Sequence, residues 1–256
     1  MPELPEVETV VRSLVPYLTG QRIENIEIGL PRIFKGKPPL GRTILDVARH
    51  GKFIVLALAP SGYLIVHLGM TGKLRWNAPR EKHTHVIFTF SNGELTYTDA
   101  RTFGGMESSE TLPERVARLG PDALAVPEAE FLERLAARKG RIKSRLLNQM
   151  FVRGLGNIYA DEALFRAGIH PSARTVSRKR ALFLHAAVQE VLREAVAARG
   201  SSISDYVDAE NQRGSFQNQH RVYGRKGEPC IHCGTPIRRI VITQRSSHYC
   251  PKCQRR

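Results

Sequence analysis

The chain has 256 residues and a formal net charge of +15, since 39 Lys and Arg outnumber 24 Asp and Glu. A basic chain attracts polyanions by releasing their counterions, which favours nucleic acid over an acidic membrane surface, although charge alone does not separate an enzyme from a ribosomal or chromatin protein. Its 41% hydrophobic content excludes global disorder, and no apolar run approaches the roughly 18 residues of a membrane span.

The chain begins MPELPEVETV, and apolar residues recur at helical spacing as far as Leu18, before the stop signal Thr19-Gly20. Pro2 has two interpretations. It suits the first position of a helix, where its missing N–H needs no partner. Alternatively, if Met1 is removed, as we expect before a small residue, Pro2 carries a secondary amine that is partly neutral near pH 8 and can attack an electrophilic carbon.

Acidic residues follow the first proline, where a secretory signal would have a basic region and an apolar stretch. We therefore expect a soluble, intracellular protein with no membrane partner.

Residues 21–106 have the pattern of a β-rich domain. THVIFTF places Val86, Phe88 and Phe90 on one side of a strand, before Asn92-Gly93, which is a strong signal for a two-residue hairpin. KFIVLAL and GYLIVHLGM predict further strands, with a turn at Ser61-Gly62. We expect a β-sandwich preceded by one helix.

Residues 113–127 are polar and contain three prolines, which predicts a linker. Helical patterns follow in EFLERLAARKG, IKSRLLNQM, IYADEALFRAGI and RALFLHAAVQEVLREAVAARG, and residues 201–222 are predicted to form a mobile loop. The turn GLGN lacks the third glycine and the preceding strand of a dinucleotide fingerprint. It is either an ordinary interhelical turn or a place where the backbone approaches a phosphate.

All four cysteines follow position 229, in two C-x2-C pairs separated by 16 residues. Four thiolates in this spacing can close a tetrahedron around zinc, and a closed site makes the ion structural. A redox pair or an iron–sulfur site is the alternative, whereas disulfides are disfavoured in a reducing compartment. The predicted zinc ligands are Cys230, Cys233, Cys250 and Cys253.

Five motifs together resemble the bacterial formamidopyrimidine-DNA glycosylase family, and they span essentially the whole chain. They are MPELPEV, HGK at 50–52, HLGMTG at 67–72, GLGNIYADEALFRAGIHP at 154–171 and the terminal YGRKGEPC…CGTPI…QRSSHYCPKC. The resemblance implies an α+β multidomain protein with one structural Zn²⁺. The implied parts are an N-terminal catalytic β-sandwich domain with a leading helix (1–112), a linker (113–127), a helix–two-turn–helix domain (128–221) with a lesion-capping loop at 211–221, and a C-terminal zinc ribbon (222–256).

The same resemblance implies a bifunctional DNA glycosylase and AP lyase of base excision repair. Such an enzyme excises oxidised purines (8-oxoguanine and formamidopyrimidines) from duplex DNA. In the family the N-terminal proline attacks the sugar C1′, and the resulting iminium drives β,δ-elimination of the strand. Pro2 matches this nucleophile, Glu3 the general acid or base, Glu6 a supporting carboxylate, and Lys52 an essential lysine near the lesion and its flanking phosphate.

Base excision also requires the target base to leave the stack and the void to be filled. Met70, Arg101 and Phe103 match the void-filling trio, because apolar wedges part base steps and an arginine can bind the orphaned base. Burial preferences alone would place Met70 and Phe103 in the core. Phe216 matches the lesion loop. The other residues matched to DNA contacts are His67, Lys143, Asn157, Tyr223, Arg225 and Arg245, where Asn157 is alternatively a simple helix cap.

The sequence departs from the family in two places. DPRRFG is here DARTFG, so we expect a looser turn at Ala100 and one positive charge fewer at Thr102. The lesion loop NQRGSFQNQHR is bulkier and more polar than the usual Gly-rich segment, which predicts a changed lesion preference.

Three other functions compete. An endonuclease VIII-like glycosylase for oxidised pyrimidines shares the fold but begins PEGPE, where this chain has Leu4. A non-enzymatic DNA-damage-binding protein has no need of Pro2, Glu3 and Lys52, and a basic RNA-binding ribbon protein has no need of wedge residues.

We expect a monomer in the bacterial cytosol and nucleoid, whose partner is double-stranded DNA with oxidised bases or abasic sites.

Overall fold

The computed structural model describes residues 2–203 and 206–256, so Met1, whose removal is predicted, and part of the predicted 201–222 loop lie outside the described residues. The chain forms two compact units. They are Met1–Arg118 with Ala198–Ser215, and Leu119–Ala197 with Phe216–Arg256. This division differs from the predicted domain boundaries, because residues 198–215 pack with the first unit. Tyr206 lies in the core of that unit, and the Trp76 amide donates to the carbonyl of Ala209 at 2.9 Å.

The first helix, α1 (Leu4–Leu18), begins at the N-cap residue Glu3 and ends at Thr19-Gly20, where Gly20 has a φ of +82°. Pro2 therefore precedes the N-cap. The interpretation of Pro2 as the first helical residue is wrong, and Pro5 occupies the first turn instead. The buried face of α1 consists of Leu4, Val7, Val10, Val11, Leu14 and Leu18.

Nine strands follow in two sheets, and apolar residues from both sheets and α1 form one core. The predicted β-sandwich is thus confirmed. The strands are β1 (Asn25–Ile28), β2 (Phe34–Lys35), β3 (Thr43–His50), β4 (Phe53–Ala59), β5 (Tyr63–His67), β6 (Lys73–Trp76), β7 (Thr84–Phe90), β8 (Gly93–Thr98) and β9 (Gly105–Ser109). The four-stranded sheet has the order β1-β7-β8-β6 and the five-stranded sheet β2-β9-β5-β4-β3, with only the pair β2–β9 parallel among the described strands.

The β7–β8 hairpin is present, but its loop is Ser91-Asn92, one residue earlier than predicted. Gly93 instead begins β8, opposite Phe90, with a φ of +153°. A Cβ at Gly93 would lie 2.4 Å from Asn77 Oδ1. The glycine is thus needed for close approach to a neighbouring loop, which a local turn signal does not reveal.

The predicted linker contains a one-turn helix, α2 (Glu114–Ala117), in the first unit. Val116 is buried, and its carbonyl lies 3.0 Å from His50 Nε2, so this segment packs onto the sandwich. The second unit contains the predicted helices. They are α3 (Glu128–Ala137), α4 (Ile142–Leu147), α5 (Asn157–Arg166) and α6 (Arg178–Ala197).

The chain ends in an antiparallel hairpin of β10 (Arg238–Ile242) and β11 (Arg245–Tyr249). Thr243 and Gln244 form its tip, and both have positive φ. None of the helices in the described part of the chain is long and apolar enough to cross a bilayer.

Candidate active site

The predicted catalytic residues lie at the start of α1. Pro2 is buried, and Glu3 and Glu6 are each only 2% exposed. The Glu3 amide donates to Glu6 Oε2 at 2.8 Å, while Glu6 Oε1 accepts from the amide of Ser201 at 2.7 Å. The Tyr206 hydroxyl donates to the Glu6 carbonyl at 3.1 Å. Glu6 thereby fixes the orientation of residues 2 and 3 against the 198–215 segment.

His67 and Lys52 lie in one electrostatic environment. Burial lowers the pKa of His67, and the cations Lys52 and Arg115 lower it further against the opposing effect of Asp99. The imidazole is therefore neutral at pH 7. The Gly69 amide donates to its Nδ1 at 3.2 Å, which places the remaining proton on Nε2, where it can be donated to a phosphate or sugar oxygen.

The predicted wedge residues lie on two loops that meet. Met70 is 41% and Phe103 is 58% exposed, so neither belongs to the core, and the guanidinium carbon of Arg101 lies 4.6 Å from the centre of the Phe103 ring. Gly69 has a φ of +59°, and a Cβ there would lie 2.4 Å from the amide nitrogen of Gly104. Only glycine lets the two loops approach this closely.

A buried carboxylate that sequence reasoning missed, that of Asp99, holds both loops. Its Oδ1 accepts from the Thr71 hydroxyl at 2.5 Å and from the Arg101 amide at 3.2 Å. Its Oδ2 accepts from the Tyr97 hydroxyl at 3.2 Å and from the Gly104 amide at 2.8 Å. Burial and the Asp99 charge raise the pKa of Tyr97, so Tyr97 stays a donor. The only signal in the sequence is an acid directly before the turn.

The expected loosening of the DARTFG turn is not observed. The Thr102 amide donates to the Asp99 carbonyl at 3.3 Å, which closes the turn although Ala100 replaces proline. Thr102 adopts a φ of +52°, and Arg32 Nη2 donates to its hydroxyl at 3.1 Å. Arg32 thus brings a guanidinium to the place where the sequence predicts a lost charge.

In the second unit, the turn before α5 is held by a side chain. Gln149 Oε1 accepts from the Gly154 amide at 2.8 Å, and Gln149 Nε2 donates to the Leu155 carbonyl at 2.8 Å. Gly156 is the N-cap residue of α5, so the interpretation of Asn157 as the cap is wrong. Asn157 is the first helical residue, with its Oδ1 buried, and a phosphate contact at this helix start stays a prediction.

The prediction that Lys143 contacts a phosphate directly disagrees with the structure, because the Lys143 side chain is 0% exposed. Its Nζ lies 2.6 Å from Asp161 Oδ1 and donates to the Ser246 carbonyl at 2.6 Å. Asp161 Oδ2 in turn accepts from the His248 amide at 2.8 Å. A buried ammonium must be fully paired, and here the pair joins α4 and α5 to the β11 strand. Arg245, the first residue of β11, is exposed at the hairpin tip.

Phe216, which was matched to the lesion loop, lies inside the fold, and its place in a lesion loop stays a prediction. Phe216 is fully buried, with its ring 5.7 Å from that of Tyr159, and it begins a short 3-10 helix. Apolar burial outweighs the polar composition of the segment around it.

Two further predicted DNA contacts have partners within the fold. The ring of Tyr223 packs edge-on against His248 at 5.1 Å. Arg225 donates to Glu228 at 2.8 Å and to the Arg221 carbonyl at 3.0 Å. Glu162, missed from sequence, is fully buried and accepts from the amides of residues 221–223. Burial raises the pKa of Glu162, against these hydrogen bonds.

The four cysteine sulfurs lie within 4.8 Å of one another. The Sγ atoms of Cys230 and Cys253 are 3.9 Å apart, and Cys233 Sγ lies 3.5 Å from those of Cys250 and Cys253. A tetrahedral zinc with bonds of about 2.3 Å separates its sulfurs by about 3.8 Å, so the cluster fits the ion without rearrangement.

Comparison with known proteins agrees with this arrangement along the whole chain. Residues 1–106 match the formamidopyrimidine-DNA glycosylase N-terminal domain, 119–207 match the formamidopyrimidine-DNA glycosylase H2TH domain, and 227–256 match the zinc finger found in FPG and IleRS. A formamidopyrimidine-DNA glycosylase of Solibacter usitatus is 57% identical over 265 residues, covering 100% of both chains. This chain belongs to the formamidopyrimidine-DNA glycosylase family.

Other relatives in the family support the assignment. The Bacillus subtilis formamidopyrimidine-DNA glycosylase is 43% identical over 277 residues, covering 99% of each chain. The crystal structure of MutM (Fpg) from Thermus thermophilus superposes with a TM-score of 0.92 at 39% identity, over 99% of this chain and 98% of that one. A mutant Lactococcus lactis Fpg in complex with a Fapy-dG containing DNA also has a TM-score of 0.92, at 40% identity and full coverage of both chains.

Family membership also decides the metal. The zinc-finger match covers all four cysteines, and their sulfurs have the spacing of a tetrahedral site, so they hold one structural zinc ion. Thr235 lowers the pKa of Cys233 to about 6 by hydrogen bonding, which favours the thiolate that zinc requires. The roles predicted for individual catalytic and DNA-contacting residues rest on the geometry above and stay predictions.

Proposed function

We propose that this protein is a bifunctional DNA glycosylase and AP lyase of base excision repair, acting on 8-oxoguanine and formamidopyrimidines in duplex DNA. The observation that carries the proposal is the start of α1. Pro2 precedes the helix, outside its hydrogen-bonded turns, and is followed directly by a buried Glu3 that Glu6 orients. Full-length identity of 57% to a named formamidopyrimidine-DNA glycosylase supports the substrate class.

The chemistry begins once Met1 is removed and Pro2 carries a secondary amine. The amine nitrogen attacks C1′ of the damaged nucleotide, a new N–C1′ bond forms, and the base leaves with the bonding electrons. The proton that the nitrogen loses balances the proton that the departing base takes up. Glu3 donates a proton to the sugar ring oxygen, so that the ring opens and an iminium forms. The iminium acidifies C2′. Loss of a proton from C2′ expels the 3′ phosphate by β-elimination, and a second elimination expels the 5′ phosphate.

Lys52 and the neutral His67 are proposed to hold the backbone next to the lesion. Lys52 supplies positive charge, and the Nε2–H of His67 donates a hydrogen bond to a phosphate oxygen. Met70, Arg101 and Phe103 enter the void left by the flipped base, on loops that Asp99 holds together. In the second unit, the amides at the start of α5 and the exposed Arg245 are proposed as further phosphate contacts. We place the activity in the bacterial cytoplasm, at the nucleoid.

Borohydride trapping on a duplex with 8-oxoguanine opposite cytosine tests the proposal. Mass mapping is expected to find the reduced adduct on Pro2, in an N-terminal peptide that lacks Met1. An adduct formed only on an oxidised pyrimidine would instead give an endonuclease VIII-like specificity. Duplex binding without any adduct would make the protein a damage-binding module, and either result overturns the proposal.

Glu3→Gln separates the two chemical steps. Base excision should fall by at least about 100-fold, the usual contribution of a positioned general acid. Trapping on a preformed abasic site should persist, because that sugar already equilibrates with its open aldehyde. Asp46→Asn, an exposed carboxylate on β3, is the matched control and should change neither step.

A further inference from the structure

A cavity of about 270 Å³ lies beside Phe103 in the first unit. Phe53, Ile65 and Phe103 supply apolar walls, and Arg32, Lys35 and Arg115 bring three cations to it. His67, proposed above to contact the backbone next to the lesion, lines the cavity as well. The mechanism above uses none of these cations. Apolar walls with several convergent cations are suited to a phosphodiester that has sugar or base surface next to its charge.

The cations differ in how far they are already neutralised. Arg115 forms an ion pair with Glu107, and its guanidinium carbon lies 5.3 Å from the centre of the Phe53 ring. Arg32 and Lys35 are exposed, and the ion pairs of the described residues include neither of them. Arg115 also lowers the pKa of His67, which lines the cavity. The positive potential of Arg115 therefore reaches the cavity although Arg115 is paired with Glu107. The cavity therefore keeps a positive potential that can concentrate an anion.

Arg32 also links the cavity to the wedge loop. Its Nη2 donates to the Thr102 hydroxyl at 3.1 Å, and Thr102 lies between Arg101 and Phe103. Thr102 has a φ of +52°, a conformation that a β-branched residue rarely adopts without support. An anion that orders the Arg32 guanidinium would therefore also fix the backbone that aims both wedge side chains.

We propose that Arg32 and Lys35 bind, in this cavity, a backbone phosphate of the strand opposite the lesion, and that this contact positions the Arg101–Phe103 loop. The proposal rests on the proposed function, in which Arg101 faces the orphaned base and so brings its loop next to that strand. The two cations then read the position of the opposite strand without reading its sequence.

A methylphosphonate scan tests the strand and the residues together. Each phosphate near the void is replaced singly, first in the opposite strand and then in the damaged strand, in a duplex with a tetrahydrofuran abasic analogue. Binding is measured by fluorescence anisotropy for the wild type and for the Arg32→Ala/Lys35→Ala variant. Wild-type affinity is expected to fall about tenfold at one or two opposite-strand positions, as for a charged hydrogen bond. In the double variant, the same phosphate replacements should lower the affinity little further, because the contact they remove is already lost.

The salt dependence gives a second readout. The slope of log affinity against log salt should become shallower by about one in the double variant, for one lost phosphate contact. Arg32→Lys keeps the charge and should keep the wild-type slope. Arg80→Ala removes an exposed cation of the same unit that is already paired with Glu27. In this control variant the phosphate replacements should lower the affinity as much as in the wild type, and the salt slope should not change.

The assignment would be overturned if the affinity losses from the double variant and from the phosphate replacements were additive at every position. It would also be overturned if they were non-additive only for phosphates of the damaged strand. Borohydride trapping with the wild-type protein separates this outcome from failure of the proposed function, because it tests the Pro2 chemistry without altering either cation. If the wild type is trapped on Pro2 while the losses are additive, only the cavity assignment is wrong. If wild-type protein gives no adduct, the proposed function itself fails.

Discussion

The buried ion pair of Lys143 and Asp161 allows a sharp prediction about the second unit. Lys143→Met keeps most of the side-chain volume but removes the ammonium, which lies 2.6 Å from Asp161 Oδ1 and donates to the Ser246 carbonyl. Both partners are 0% exposed, so water cannot replace the lost charge. Removing one partner of such a pair costs about 3–5 kcal/mol, because the other charge stays buried without compensation.

A second variant identifies the origin of that cost. Lys143→Met combined with Asp161→Asn removes both charges and keeps an oxygen that can accept from the His248 amide. Since a buried pair is often replaceable by neutral groups at little cost, the double variant should recover more than half of the loss. An exposed pair, Arg118–Glu114, is the control, and Arg118→Met should cost less than about 1 kcal/mol.

Urea unfolding followed by far-UV circular dichroism gives the free energies, and a chromogenic chelator reports zinc release from the ribbon. Early zinc release in Lys143→Met, reversed in the double variant, is expected, because Lys143 holds the backbone of β11. A loss below about 1 kcal/mol, or a double variant worse than the single one, would refute the reasoning, since it would mean that the pair is not buried.

Three further outcomes are expected. Burial lowers the pKa of His220 to about 4, so between pH 6.5 and 4 the unfolded chain binds a proton at this residue and the folded chain does not. The free energy of unfolding should therefore fall by up to about 3 kcal/mol as the pH drops over that range. In urea titrations, His220→Phe should make the free energy of unfolding depend less on pH. Asp99→Leu should weaken binding to lesion duplexes by anisotropy at least tenfold, because four donors lose their acceptor, with Asp46→Asn unchanged. Gly69→Ala forces the Met70 and Phe103 loops apart, and it should slow excision at saturating protein without lowering the melting temperature of the zinc ribbon.

Local patterns predicted the central strands of the sandwich and the long helices. Apolar spacing predicted the strands β4, β5, β7 and β8 and the helices of the second unit, because burial selects those spacings directly. The other five strands of the sandwich were predicted only as part of a β-rich segment. The cysteine spacing predicted the metal site for a different reason, because two short C-x2-C turns can deliver four sulfurs to one ion.

The residues that position the site were not predictable, because their partners are remote in sequence. Glu6 binds an amide 195 residues away, and Lys143 binds a carbonyl 103 residues away. A lysine in a basic chain is expected at the surface, so only the tertiary structure reveals that Lys143 is paired inside. Asn157 was misassigned for a local reason, because the helix begins one residue earlier than expected and the preceding glycine is its N-cap.

The contacts of Glu6 limit how this protein can be divided. The segment that supplies Ser201 and Tyr206 belongs to the first unit although 79 residues of the second unit, Leu119–Ala197, precede it. A recombinant fragment that stops at Arg118 would keep the nucleophile but lose the groups that hold its neighbouring carboxylates. Gene truncation therefore cannot isolate a working catalytic half. A minimal catalytic fragment has to be built as a splice, with residues 198–215 reattached through a linker, or as two coexpressed pieces that reassemble.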